Sequence, residues 1–149
     1  MQSVGNKRNK SSVGNKENER KMKDDNITYQ IRGAIYDTYN ALGPGLLESV
    51  YEEALIYFLN KRGLNVERQV PVPIEVDGHL LETQLRIDLL VERSVIIEIK
   101  SVMEIKEVFH LQLLTYLKIS GMHRGILVNF NTADINKSIW NKVNGYDLP

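Results

Sequence analysis

Arg86-Ile87-Asp88-Leu89-Leu90-Val91-Glu92-Arg93-Ser94-Val95-Ile96-Ile97-Glu98-Ile99-Lys100 reads as two strands joined by a turn. Alternation marks the first strand, and the second is a short β-branched run. A turn at Glu92-Arg93-Ser94 that pairs Val91 with Val95 puts Asp88 opposite Glu98. Directly opposed residues share a face, with Cβ atoms about 4.5–5.5 Å apart. Lys100, two residues beyond Glu98, falls on that same face, while Ile97 and Ile99 point into the other layer. Two carboxylates at roughly 5 Å repel by about 3 kcal/mol at an effective dielectric near 20. Such a pair calls for a cation between its members or a proton on one of them. Lys100 supplies part of that charge. A hard divalent ion such as Mg²⁺ fits better, being held by one or two carboxylates plus waters and substrate phosphate. The ordinary structural reading is a charged, solvated strand face.

Around this hairpin the periodicity is helical first. Asn26 is placed to cap a helix burying Ile27, Ile31, Ala34, Ile35, Thr38 and Leu42, which stops at Gly43-Pro44-Gly45. A second helix carries Leu47, Val50, Tyr51, Ala54, Leu55, Phe58 and Leu59 on one face and ends at Gly63. The period then falls to two through Val66, Val70, Val72, Ile74 and Val76, and Asp77-Gly78 turns the chain into the return strand. Pro71 and Pro73 place the outgoing strand at an edge or interrupt it. After Lys100 come an amphipathic helix from about Glu107 to Ser120, a buried strand over Gly125–Phe130, and a last helix from about Asp134 to Val143. The helix between the third and fourth strands makes them parallel neighbours joined by a right-handed crossover. The expected fold is α/β: a central mixed sheet of about four strands flanked by helices.

The chain has 149 residues, the size of one domain. Residues 1–26 contain four apolar residues, no aromatic one, and a repeat of Ser-Val-Gly-Asn-Lys at positions 3 and 12. Too poor in apolar content to offset ordering, they read as a disordered polar tail ahead of a single domain over 27–149. Either the tail is a basic arm touching phosphates or it is a dispensable extension, with Met22 as an older start. It holds seven Lys or Arg against four Asp or Glu, leaving the remainder with twelve against fifteen, a net of −3. That balance excludes a strongly cationic nucleic-acid coat. Cysteine is absent, which excludes thiolate catalysis and cysteine-held metals. No secretory signal and no run long enough for a membrane span is present, so a cytoplasmic protein is expected.

Other candidates are local. Glu48 opens the second helix, where negative charge matches the helix dipole, and Tyr51 lies one turn on, an ordinary core position. Gln112 and Tyr116 stack four residues apart beside Leu113 and Leu117; a glutamine there either needs a buried partner or marks a helix edge. His79, His110 and His123 are too dispersed for a metal triad. The Gly-Pro-Gly turn lacks the Lys-Ser/Thr ending of a phosphate loop.

Gly45, Glu48 and Tyr51, then Asp88 with Glu98-Ile99-Lys100, then Gln112-Leu113-Leu114-Thr115-Tyr116 form an ordered set. Together they resemble the GxxExxY protein family, a branch of the PD-(D/E)XK nuclease superfamily, over about residues 27–143. Ile87 stands where the superfamily's name has proline. The resemblance implies a restriction-endonuclease-like core and a Mg²⁺ (or Mn²⁺) site. Asp88 and Glu98 would bind the ion, with the Ile99 carbonyl as a further ligand and Glu48 completing the acidic cluster. Lys100 would orient or deprotonate the attacking water, and Tyr51, Gln112 and Tyr116 would position substrate. The expected activity is metal-dependent phosphodiester hydrolysis of nucleic acid, DNA more than RNA. So small a core usually needs a homodimer, inserted loops or a protein partner to hold DNA. The rival reading is a non-catalytic protein- or nucleic-acid-binding module whose acidic pair forms a structural ion-pair network with Lys100.

Overall fold

The three-and-four spacing of Ile27, Ile31, Ala34, Ile35 and Thr38 produces a helix that buries every one of them. The computed structural model describes residues 6–146, with side chains from residue 12 onward. Its first helix, α1, runs Asn6–Leu42, so Asn26 is not its cap. Of the stretch expected as a polar tail, residues 6–26 are the first part of this helix. What docks this stretch is polar. Asp24 is buried and accepts from the Ser94 and Tyr146 hydroxyls. Arg124, itself buried, donates to Asp25 at 2.7 Å, and Arg20 meets the His123 ring at 3.1 Å. Residues 1–5 lie outside the described residues.

The second helix, α2, runs Glu48–Lys61. The turn between the two helices holds Gly43 at φ +68° and Gly45 at φ +96°, conformations that glycine adopts without a Cβ penalty. The chain then forms β1 (Val66–Val76), β2 (His79–Val91) and β3 (Val95–Lys100), a third helix α3 (Glu107–Ser120), and β4 (Arg124–Asn129). A single 3-10 turn, Ile135–Lys137, leads into β5, Ile139–Val143. The last helix expected over 134–143 is therefore wrong. Trp140 and Lys142 are half-buried while Asn141 and Val143 are exposed, an alternation too short to tell from part of a helical stripe in sequence.

The sheet is mixed and five-stranded, in the order β1-β2-β3-β4-β5. β1 is an edge strand, as its prolines predict. β3 and β4 are parallel, joined through α3. The remaining pairs are antiparallel. Helices α1 and α2 pack on one face through Ile31, Ile35, Tyr51, Leu55 and Leu59 against Leu89, Val91, Ile97 and Ile99. Helix α3 packs on the other through Leu113 and Leu117 against Leu90, Ile96 and Leu127. No helix among the described residues is long and apolar enough to cross a membrane.

β2 pairs with β3 over only three residue pairs, Val91↔Val95 to Leu89↔Ile97. This is the register expected from the turn. Beyond Leu89 and Ile97 the ladder stops, and the two strands part. That parting positions the candidate site.

Candidate metal and phosphate site

Where the β2–β3 ladder ends, side chains take over its hydrogen bonds. The Ile99 N–H donates to Asp88 Oδ2 at 2.8 Å, and the Asp88 N–H donates to Glu98 Oε1 at 3.3 Å. Each carboxylate thus accepts from a backbone N–H just beyond the end of the ladder. Ile87 follows the same change: it packs with Leu90 and Ile96 in the α3 layer, whereas strict alternation would put it with Leu89.

Burial sets the electrostatics. Glu98 is 5% exposed. Desolvation, with the nearby Asp88 charge adding to it, pushes its carboxyl up to about 8, and Lys100 and the Asp88 N–H offset only part of this. Asp88 is also raised, chiefly by burial and also by the charge of Glu52, against the opposing Ile99 N–H. Two acids here hold protons more tightly than acids in water do, for want of enough positive charge. A cation between them would supply it, so the donor set fits a hard divalent ion.

Lys100 ends β3 with its ammonium 4.8 Å from the centre of the Phe109 ring, a cation–π contact with α3. No ion pair within 4.0 Å among the described residues joins Lys100 to Asp88 or Glu98. Gln112 donates to the Tyr116 hydroxyl at 3.2 Å. Burial, then the Glu98 charge, raise the Tyr116 hydroxyl above its usual range, with Asp88 adding to the shift. Tyr116 therefore stays protonated beside the acid pair, available as a donor.

Glu48 stands at the N-terminus of α2, exposed, and accepts from the Ser101 N–H at 3.3 Å. The Ser101 hydroxyl in turn donates to the Leu46 carbonyl at 2.5 Å. Glu48 is thus tied to the end of β3 just past Lys100. Among the described residues, no group of three or more His, Asp or Glu side chains is gathered for a metal. The cluster that forms is the Asp88–Glu98 pair, with Glu48 bonded next door.

Tyr51 departs from expectation. It is fully buried and stacks on Phe130 at 4.5 Å. Its hydroxyl donates to the Gly43 carbonyl at 2.6 Å and accepts from the Leu46 N–H at 3.2 Å. Both capacities are spent on the glycine turn, so Tyr51 holds the loop that delivers Glu48.

Several partners escaped the sequence reading. Asn129 accepts from the Val102 N–H at 3.1 Å and donates to the Val102 carbonyl at 3.0 Å, fixing the loop after Lys100. Glu52 is buried, 6% exposed, with Arg68 at 2.6 Å and Gln69 at 3.0 and 3.1 Å. A signal for Glu52 did exist: it shares the three-and-four spacing with Leu55 and Leu59, a charge set into an apolar stripe.

Comparison with known proteins points the same way. No curated protein matches the chain. Among solved structures, the crystal structure of SSO0001 aligns with a TM-score of 0.51 at 26% identity, over 66% of this chain and 50% of that one. The match thus spans half the length of that protein. The model of the PD-(D/E)XK nuclease superfamily matches residues 25–143, from the last turns of α1 that dock on the sheet to the end of β5. By that match, the chain belongs to the PD-(D/E)XK nuclease superfamily.

Proposed function

We propose that this protein is a Mg²⁺- or Mn²⁺-dependent nuclease of the GxxExxY branch, hydrolysing phosphodiester bonds of DNA in preference to RNA in the cytoplasm. The observation that carries the reading is the parting of β2 and β3 around Asp88 and Glu98. A fold gains nothing from burying two carboxyls side by side: burial raises both, the Asp88 charge adding to the rise at Glu98 and the Glu52 charge to the rise at Asp88. A cation repays that cost.

Asp88 and Glu98 would hold the ion, with the Ile99 carbonyl and Glu48 as further oxygen donors. When bound, it would lower the pKa of a bound water and neutralise charge on the phosphate. Lys100, steadied on Phe109, orients the attacking water or takes its proton and balances charge as the bond breaks. Tyr116, fixed by Gln112, donates its hydroxyl to a substrate oxygen. Asn129 and Ser101 hold the loop that sets the height of Lys100 against Glu48. Outside the first 26 residues the net charge is −3, which makes no broad basic face. A second copy or a protein partner then shares the hold on nucleic acid.

The test is cleavage of single-stranded, duplex and branched substrates with Mg²⁺ or Mn²⁺, alongside Asp88→Ala and Lys100→Ala. Metal-dependent cleavage lost in both variants supports the reading. A protein that binds nucleic acid equally with and without metal, and never cleaves it, is instead the non-catalytic module.

A further inference from the structure

In a regular strand, consecutive side chains point to opposite faces, so Arg68 and Gln69 cannot both reach one carboxylate. Here they do. Arg68 Nε donates to Glu52 Oε1 at 2.6 Å, and Gln69 Nε2 donates to Oε1 at 3.1 Å and Oε2 at 3.0 Å. The alternation is broken at Gln69, whose φ is +52°. A non-glycine residue there carries about 1–2 kcal/mol of strain, which persists only where the surroundings enforce it. The enforcing group is Glu52, a carboxylate 6% exposed on α2.

The arrangement has a free end. Arg68 meets Glu52 through Nε, and its two terminal nitrogens take no hydrogen bond among the described residues. Its side chain is 48% exposed. A buried acid that grips the inner nitrogen holds the planar fork with its outer donors toward solvent, the geometry that meets a phosphate's oxygens two at a time. The place matters too. Arg68 pairs with Leu89 and Val70 with Ile87, so Gln69 takes the position across from Asp88. The fork therefore stands one strand over from the acid pair.

We propose that Arg68, anchored by Glu52 and Gln69, forms a subsite for a backbone phosphate of the nucleic acid, next to the bond that is cut. This rests on the nuclease reading and adds a binding residue to it. Arg68 takes no part in the chemical step. It fixes the register of the strand on the acid pair, and the guanidinium is prepaid in orientation by the strained turn at Gln69.

The experiment measures binding of a fluorescent oligonucleotide, single-stranded and duplex, across a salt series with Ca²⁺ in place of Mg²⁺. Arg68→Ala should bind about tenfold or more weakly. The slope of log K against log salt should shrink by about 0.7–0.9, the loss of one phosphate contact. Arg68→Lys keeps a charge and a partner for Glu52, so it should keep the slope and lose affinity; it also controls for folding. In cleavage, KM should rise with kcat nearly unchanged. Wild-type cleavage with an unaltered salt slope in Arg68→Ala would overturn the subsite and leave the nuclease reading standing. Wild type that neither binds nor cleaves nucleic acid would overturn both.

Discussion

Glu98→Gln should make the metal-free protein more stable at pH 8, and the gain should vanish near pH 4. In the folded chain the Glu98 carboxyl is pushed up to about 8 from an ordinary 4.5, mainly by burial and then by Asp88. Between those two values the folded state keeps a proton that the unfolded chain has released. Stability therefore falls as pH rises through that window, and the loss is complete above the folded value. At about 1.4 kcal/mol per unit, the full window costs on the order of 4 kcal/mol, a large part of a typical domain's 5–15 kcal/mol. For a chain of this size that is a shift in Tm of roughly 10 °C. Glutamine keeps an oxygen to accept the Asp88 N–H and adds an N–H toward the Asp88 carboxylate, so the substitution removes charge without orphaning a donor. Calorimetry in EDTA at steps from pH 4 to pH 9, wild type against variant, isolates this group from every other titration. A difference in Tm that stays flat across the series, or a variant less stable than wild type at pH 8, would refute the electrostatic account of the site.

Three further outcomes follow from the same contacts. Adding Mg²⁺ or Mn²⁺ at pH 8 should raise the Tm of wild type and leave Glu98→Gln almost unmoved, since the ion replaces the proton. Tyr51→Phe keeps the stack on Phe130 but leaves Gly43 and Leu46 without the hydroxyl, which should cost about 1–2 kcal/mol in urea unfolding. Cleavage should fall too, because Glu48 is delivered by that loop. Starting the chain at Met22 should change stability by less than about 1 kcal/mol, because the contacts it removes at Arg20 and Lys21 are surface ones. Starting at Ile27 removes Asp24 and Asp25 and leaves the buried Arg124 without its acid, at a cost of about 3–5 kcal/mol.

Most of the fold was legible because strand register is a counting problem. The turn at 92–94 set Val91 against Val95, and the two prolines marked β1 as an edge or an interrupted strand; it is at the edge, with an irregularity after Pro73. Glu98-Ile99-Lys100 carried enough pattern to place the acid pair beside the lysine's strand. What the count could not give was the parting of the strands at Asp88, since a ladder read from sequence has no reason to stop. The segment 139–143 failed because a five-residue strand and one face of a helix are too short to separate by period. The helical stretch before Ile27 was not legible for a different reason. Its order comes from Asp24 and Asp25 meeting partners about 70 to 120 residues away, which no apolar count registers. Tyr51 was legible as a buried position, but its hydroxyl's partners sit in a loop whose path only the structure supplies. Arg68 and Gln69 were silent for a similar reason: their meeting at Glu52 depends on one left-handed residue.

The most direct test is to diffuse Mn²⁺ into crystals of the protein and locate it by anomalous scattering. One peak should appear between the Asp88 and Glu98 carboxylates and be absent from Asp88→Ala crystals treated alike. Millimolar Mn²⁺ that leaves the gap between β2 and β3 empty, or settles elsewhere on the surface in both proteins, would contradict that.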